Sequence, residues 1–471
     1  MGLTEKGTRN SRGQSTGLDH LKELGVTHIH LLPFFDFRSS DESLVNPPYN
    51  WGYDPLHYNL PEGTFATSTK DPKTRIKECK EMIMALHRAG FKVVMDVVYN
   101  HTSLSSTSSF EQLAPYYFYR RNENGEFSNA SACGNETASE QPMMQKFMVE
   151  SLLFWINEYK VDGFRFDLMG IHDIETMNLI ARELRNVKPD ILLYGEGWAA
   201  GSSPMAEEKR ALKKNVHLLN GIAVFSDEFR DGIKGSVFIP TQKGFVSGDV
   251  SRMADIKFGL RGGWVNPTQM IAYADCHDNH TLWDKLMLAN PNSSVSELIA
   301  MNKLALTLVL TSQGIPFLHA GSEFLRSKKG VENSFESPDS INAIDWELKH
   351  ENASVFFYVK QLIELRKRYS EFWAPSNNQQ INFKEFDKDA KGLLSYQIVA
   401  DSKSRSNSKL EILFNGASEE IWLNRSALQD PNGDWEIVVS NNEFLEKTSI
   451  LGKKGILKLT PYSATILLHI K

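Results

Sequence analysis

Short runs rich in Val, Ile, Leu and Phe alternate along most of the chain with longer stretches whose apolar residues recur at mixed i+3/i+4 spacing. Runs of the first kind read as buried strands and stretches of the second as amphipathic helices. Their alternation is the pattern of βα units around a parallel sheet. Seven strands are predicted: Thr27–Leu32, Lys92–Val98, Gly163–Phe166, Ile191–Tyr194, Gly221–Phe225, Met270–Ala274 and Ile315–His319. Helical periodicity covers Pro72–Ala89, Met144–Tyr159, Asp173–Arg185, Val295–Thr311 and Ser354–Arg368. After about Trp373 the texture changes to short strand-like runs separated by turn residues: Ile381–Phe386, Leu393–Val399, Leu410–Phe414, Trp435–Val439, Ile456–Leu459 and Thr465–His469. Asp401–Ser408 (DSKSRSNS) reads as a solvated loop among them. The expected organisation is an α/β barrel over residues 1–372 followed by a small all-β sandwich domain over 373–471.

Composition narrows the function classes. With 41% hydrophobic and 11% aromatic residues among 471, there is ample apolar material for a large core, which excludes general disorder. The balance of 52 Lys+Arg against 58 Asp+Glu gives a net charge of −6, so no basic footprint for nucleic acid exists. Cys79, Cys133 and Cys276 stand far apart without a CxxC, suggesting neither a disulfide framework nor a zinc site. Met1–His20 is polar throughout, unlike a secretory leader, and no stretch approaches the roughly 18 apolar residues of a membrane span. The default expectation is a cytoplasmic protein with no membrane partner, a compartment that a signal peptide at the native N-terminus would change.

The chemistry concentrates at strand ends, where parallel α/β barrels carry their functional loops. Lys92–Val98 carries Asp96 and runs into Asn100-His101, and Gly163–Phe166 leads to Asp167 with Arg165 on the same side of the pleat. Ile191–Tyr194 ends at Gly195-Glu196-Gly197-Trp198, and Met270–Ala274 at Asp275-Cys276-His277-Asp278. Any one of these carboxylates alone reads as a helix N-cap or a structural ion pair. Four strand ends together predict a polar pocket at one barrel mouth. Metal hydrolysis lacks an H-x-x-x-H helix face here, and serine hydrolysis lacks G-x-S-x-G. Glycoside hydrolysis needs one ionised and one protonated carboxyl. Arg165 is expected to hold Asp167 ionised, and Glu196, between two glycines and an aromatic residue, to keep its proton. Tyr49-Asn50-Trp51-Gly52-Tyr53-Asp54 supplies aromatic faces for sugars.

At these residues the chain resembles the α-amylase superfamily of glycoside hydrolases, family 13, and within it the type I pullulanases. The four short stretches of the superfamily match Asp96–His101, Gly163–Gly170, Gly195–Trp198 and Cys276–Asn279, in order. The stretch Tyr49-Asn50-Trp51-Gly52-Tyr53-Asp54-Pro55 is similar to the pullulanase signature YNWGYDP at every position. The resemblance implies retaining α-1,6 debranching of pullulan and branched α-glucans. Asp167 would be the nucleophile, Glu196 the acid and base, and Asp278 a third carboxylate that holds sugar hydroxyls. Tyr53, His101, Arg165 and His277 would bind or orient at the cleavage subsite, and Asp54, Trp198 and Asp339 would shape neighbouring subsites. It implies an α-glucan oligosaccharide or polysaccharide as partner and no cofactor; a structural calcium and the oligomeric state leave no signature.

One departure from the family is expected to matter. The superfamily's barrel begins with a strand before the helix corresponding to Thr16–Leu24, yet the residues before Thr16 hold no apolar run. Met1 is therefore expected to fall in the loop after that strand, giving a (β/α)8-type barrel that lacks its first strand, as in a fragment, an internal-start product or a truncated gene. Its first and last remaining strands would be unpaired edges. Two other functions stay open: a glucan-binding or inactive remnant, and an α-1,4-acting hydrolase or transferase.

Overall fold

Seven parallel strands form one sheet in strict chain order: β1 (His28–Leu31), β2 (Lys92–Val97), β3 (Gly163–Phe166), β4 (Leu192–Gly195), β5 (Ala223–Phe225), β6 (Met270–Ala272) and β7 (Ile315–Pro316). These are the predicted strands, with ends moved by up to three residues. The computed structural model describes residues 2–44, 46–370, 373, 380–386, 391–400, 409–452 and 454–469. Within them β1 and β7 each pair on one side only, so the sheet is open between them, in line with a barrel one strand short. The rings of His30 and Phe317 meet edge to face across this opening, with centroids 5.7 Å apart.

Period-two alternation divides each strand between two environments. Val93, Met95 and Val97 point outward into the layer shared with helices Pro72–Arg88 and Pro142–Phe154, as do Phe164, Phe166 and Leu193. The alternate residues Val94, Tyr194, Ala223, Phe225, Ile271 and Tyr273 fill the lumen. Register then places Asp96 opposite Arg165 and Arg165 opposite Tyr194, which stacks the polar residues above that apolar plug. Helix Pro142–Phe154 continues into a wider turn, Trp155–Tyr159, where fully buried Trp155 donates its indole N–H to the Tyr58 carbonyl at 3.0 Å.

The C-terminal part is a six-stranded antiparallel sheet: β8 (Gln380–Glu385), β9 (Leu393–Val399), β10 (Lys409–Asn415), β11 (Trp435–Ser440), β12 (Glu443–Ile450) and β13 (Ser463–His469). Its strand order is β8-β9-β10-β13-β11-β12. A second pair, Ile421–Asn424 with Ile456–Leu459, covers one face over a core of Leu413, Trp435, Leu457 and Leu467. The other face packs Tyr396, Ile412, Phe414 and Ile466 on Leu304 and Leu308 of helix Val295–Thr311 and on Val355 and Val359 of helix Ala353–Arg368.

Two strands and a hairpin lie outside the predicted elements. The strands Ile421–Asn424 and Glu443–Ile450 were not expected; the second, EFLEKTSI, is exposed along most of its length and so lacks the apolar alternation that marks a strand. A hairpin of Phe35–Phe37 with Pro55–Pro61 was also missed, because its register slips twice within three residues and proline bounds its longer strand. The loop Asp401–Ser408 lies outside the described residues. Among the described residues, no helix is long and apolar enough to cross a membrane.

Buried Tyr396 ties the two parts by hydrogen bonds as well as packing: its hydroxyl donates to the Leu260 carbonyl at 3.1 Å and accepts from the Gln313 amide at 3.1 Å. Tyr396→Phe leaves that carbonyl without this donor and should cost about 1–3 kcal/mol of unfolding free energy. Tyr396→Ala should cost about 3–5 kcal/mol, as large-to-small aromatic truncations do. Urea denaturation of the two variants measures both.

Candidate active site

At the mouth of the lumen a cavity of about 700 Å³ is lined by residues from six loops, among them Trp51, Tyr53, Asp54, His101, Asp167, Glu196, Trp198, His277 and Asp278. Arg165 lies beneath them. Its Nη1 donates to Asp96 Oδ1 at 2.9 Å and Asp167 Oδ1 at 2.8 Å, while Nη2 reaches Glu196 Oε1 at 2.7 Å. One buried guanidinium thus holds three carboxylates.

Each carboxylate has further donors. Asp96 accepts from the Tyr53 hydroxyl at 2.6 Å and faces His30 Nε2 at 3.1 Å. Asp167 Oδ2 accepts from the Asn100 amide at 2.8 Å. Glu196 Oε2 accepts from the Leu168 backbone N–H at 2.9 Å. That last bond explains an unusual backbone: Leu168 is left-handed at φ 39°, a conformation disfavoured for a branched side chain, and strain of this kind gathers at functional sites. Gly170, two residues on, packs against the Trp198 backbone so closely that a Cβ would lie 2.5 Å from its carbonyl oxygen.

The electrostatics follow from burial. Burial raises Glu196 to about 8, opposed by Arg165 and reinforced by the negative charge of Asp167. Asp167 is raised to about 6, again by burial, against the pull of Arg165 and with the push of Asp96. The expected Arg165–Asp167 pair is therefore present, but desolvation outweighs it and the carboxyl sits above its ordinary range. The order still separates the pair, with Asp167 ionised and Glu196 protonated near neutrality. Burial also opposes ionisation of Asp96, yet Arg165 and His30 hold it below the usual range. His101 and His277 are both lowered to about 4 by burial, so each is neutral and free to hydrogen-bond a hydroxyl.

Aromatic surfaces wall the cavity. Tyr53 stacks on His277 at 5.3 Å and 14°, and Trp51 meets the same ring edge-on at 4.8 Å. Asp54 is raised by burial and accepts from the Ser39 hydroxyl at 3.0 Å. The Asp278 side chain is 42% exposed and stands 3.6 Å from His277 Nε2. Two of the predicted residues are not in the lining: Arg165, which lies beneath it, and Asp339, which is exposed and heads a short helix, Asp339–Asn342. Sequence reasoning gave no role to Asp96, although a lone carboxylate inside the apolar run KVVMDV is itself a signal. It missed Asn333, Phe335 and Glu336, which line the far wall from an irregular polar loop with no periodicity to flag it.

With this geometry in place, comparisons with known proteins are specific. The family described as alpha amylase, catalytic domain, matches residues 4–130. The pullulanase of Bacillus subtilis (strain 168) is 43% identical over 381 residues, covering 79% of this chain and 53% of its own length. The crystal structure of the Paenibacillus barengoltzii pullulanase in complex with maltohexaose and α-cyclodextrin superposes with a TM-score of 0.92 at 40% identity, covering 100% of this chain and 73% of that one. The pullulanase from Bacillus acidopullulyticus gives 0.92 at 38% identity, covering 99% and 57%. The chain spans about half the length of the curated relatives it matches.

The raised Glu196 makes a stability prediction. In the folded protein it keeps its proton to about 8, against an ordinary 4.5 when unfolded, so between those values the folded state holds the extra proton. Unfolding free energy therefore falls as pH rises through that window. Glu196→Gln removes the effect and should gain stability over the parent progressively between about pH 5 and 8. Urea midpoints of the two proteins across that range check this, and a difference flat with pH would contradict it.

Proposed function

The chain belongs to the pullulanases of the α-amylase superfamily, and from that premise we propose that it is a retaining glycoside hydrolase cleaving α-1,6 links in pullulan and branched α-glucans. The observation that carries this reading is the Arg165-bridged set, in which two buried carboxyls at strand ends titrate apart, Asp167 lower and Glu196 higher. Attachment to one guanidinium favours the short carboxyl separation, about 5 Å, of retaining enzymes over the wider spacing that admits an ordered water.

In the first step an Asp167 oxygen attacks the anomeric carbon while Glu196 gives its proton to the departing glycosidic oxygen. The C–O bond breaks and a glucosyl ester on Asp167 forms. Glu196, now ionised, takes a proton from water, whose oxygen attacks the same carbon and releases Asp167. Two inversions return the α configuration. Asp278 and the neutral His101 and His277 hold sugar hydroxyls, Tyr53 gives the ring a stacking face, and Trp198 and Asp54 border the adjoining subsites. No cofactor enters this scheme. The known complex of the Paenibacillus enzyme with maltohexaose supports an α-glucan as ligand. On this reading the barrel, residues 1–372, carries the chemistry and residues 373–471 brace it.

Incubation of the purified chain with pullulan tests the proposal. Maltotriose is the expected product; α-1,4 fragments would favour an amylase-type specificity, and affinity without products a binding role. Asp167→Ala and Glu196→Gln should each lower kcat by at least roughly 10²–10⁴-fold. The profile of kcat/KM should be a bell, with its acid limb near the Asp167 value of about 6 and its alkaline limb near the Glu196 value of about 8. Maltotriose release by Asp167→Ala at the parent rate would remove Asp167 from the mechanism.

A further inference from the structure

Lys328 follows β7 in an irregular segment and is 1% exposed. Its ammonium donates to the His277 carbonyl at 2.8 Å and to the Glu332 carbonyl at 3.0 Å, and lies 5.5 Å from the centre of the Trp51 ring. Its backbone N–H donates to Asp284 at 2.8 Å, which fixes the base of the side chain. These three contacts belong to three different walls of the cavity: the His277-Asp278 loop, the loop bearing Asn333, Phe335 and Glu336, and the loop bearing Trp51 and Tyr53. The walls also meet where the Trp51 N–H donates to the Phe335 carbonyl at 3.0 Å.

We propose that Lys328 is a positioning residue for the hydrolysis, clamping the carbonyl next to Asp278 so that this carboxylate stands at a fixed distance from Asp167 and Glu196. The inference rests on the hydrolase reading above. The Asp278 loop needs such a clamp on two counts. Asn279, directly after Asp278, has a left-handed backbone at φ 61°, a conformation that must be held by its surroundings. The Asp278 side chain itself is half exposed and has His277 Nε2, at 3.6 Å, as its one ion-pair neighbour among the described residues. An ammonium suits the position because its tetrahedral donors reach two carbonyls in different directions while its charge rests on an indole face. Lys328 does not itself line the cavity, so its effect must pass through the loop it holds.

The test is a double-mutant cycle on pullulan hydrolysis. Lys328→Met should lower kcat/KM by about 10-fold or more, mainly in kcat, with Lys328→Arg recovering most of the loss by restoring charge and donors. In an Asp278→Asn background, Lys328→Met should change kcat/KM by less than about 3-fold, because the group it positions is already lost. Losses that multiply in the double variant would overturn the proposal, as would parental kinetics in a folded Lys328→Met protein that merely melts at lower temperature. Should Lys328→Met fail to fold, Lys328→Gln carries the same comparison. If the parent chain does not hydrolyse pullulan, the hydrolase reading fails separately. The cycle is then read from the Kd for maltotriose, where weakening by Lys328→Met that persists undiminished without the Asp278 carboxylate overturns the clamp.

Discussion

The guanidinium of Arg165 faces three carboxylates, and the rest of the site is arranged to make that imbalance tolerable. Two like charges about 4 Å apart cost on the order of 4 kcal/mol even at an effective dielectric of 20, and burial adds several kcal/mol for each ion. Three ionised carboxylates around one cation are therefore unaffordable, and one proton has to stay. Its place is set by how well each oxygen is otherwise served. Asp96 has the Tyr53 hydroxyl and His30 in addition to Arg165, and so stays ionised most readily. Asp167 has the Asn100 amide. Glu196 has one backbone N–H and the charge of Asp167 beside it, and so keeps the proton. A protonated and an ionised carboxyl thus emerge from one charge count, with no separate device for either.

Much of this was legible in the residues. Central strands such as Gly163–Phe166 are short apolar runs, and a polar residue inside or just beyond such a run has few places to go except the lumen or its mouth. That is why the residues alone bring Asp167, Glu196, His101 and His277 to one pocket. The protonation balance was less legible, because it depends on how deeply Arg165 and its partners are buried, a property of the closed packing and not of spacing. The wall formed by Asn333, Phe335 and Glu336 was illegible for a different reason: irregular loops carry no period, and what places this one is a buried lysine, a backbone bond from Trp51 and the bonds between buried Ser334 and Asn342.

The sheet is uneven around its circumference. β2 is six residues long, whereas β5 and β6 have three and β7 two. The thin side is where helix Val295–Thr311 lies, and that helix is buried on nearly all faces because the antiparallel sheet covers the side that the barrel leaves bare.

That sharing bears on modularity. Leu304 and Leu308 from the barrel and Tyr396, Phe414 and Ile466 from the antiparallel sheet belong to one continuous apolar cluster. A surface of this kind is a core cut by a change of topology, not a seam between independent parts. Excising the C-terminal sheet, or grafting another in its place, would strip the outer face of a helix that is buried on most sides and expose its apolar residues to water, so the tail travels with the barrel as a single cooperative unit in any recombination of the chain.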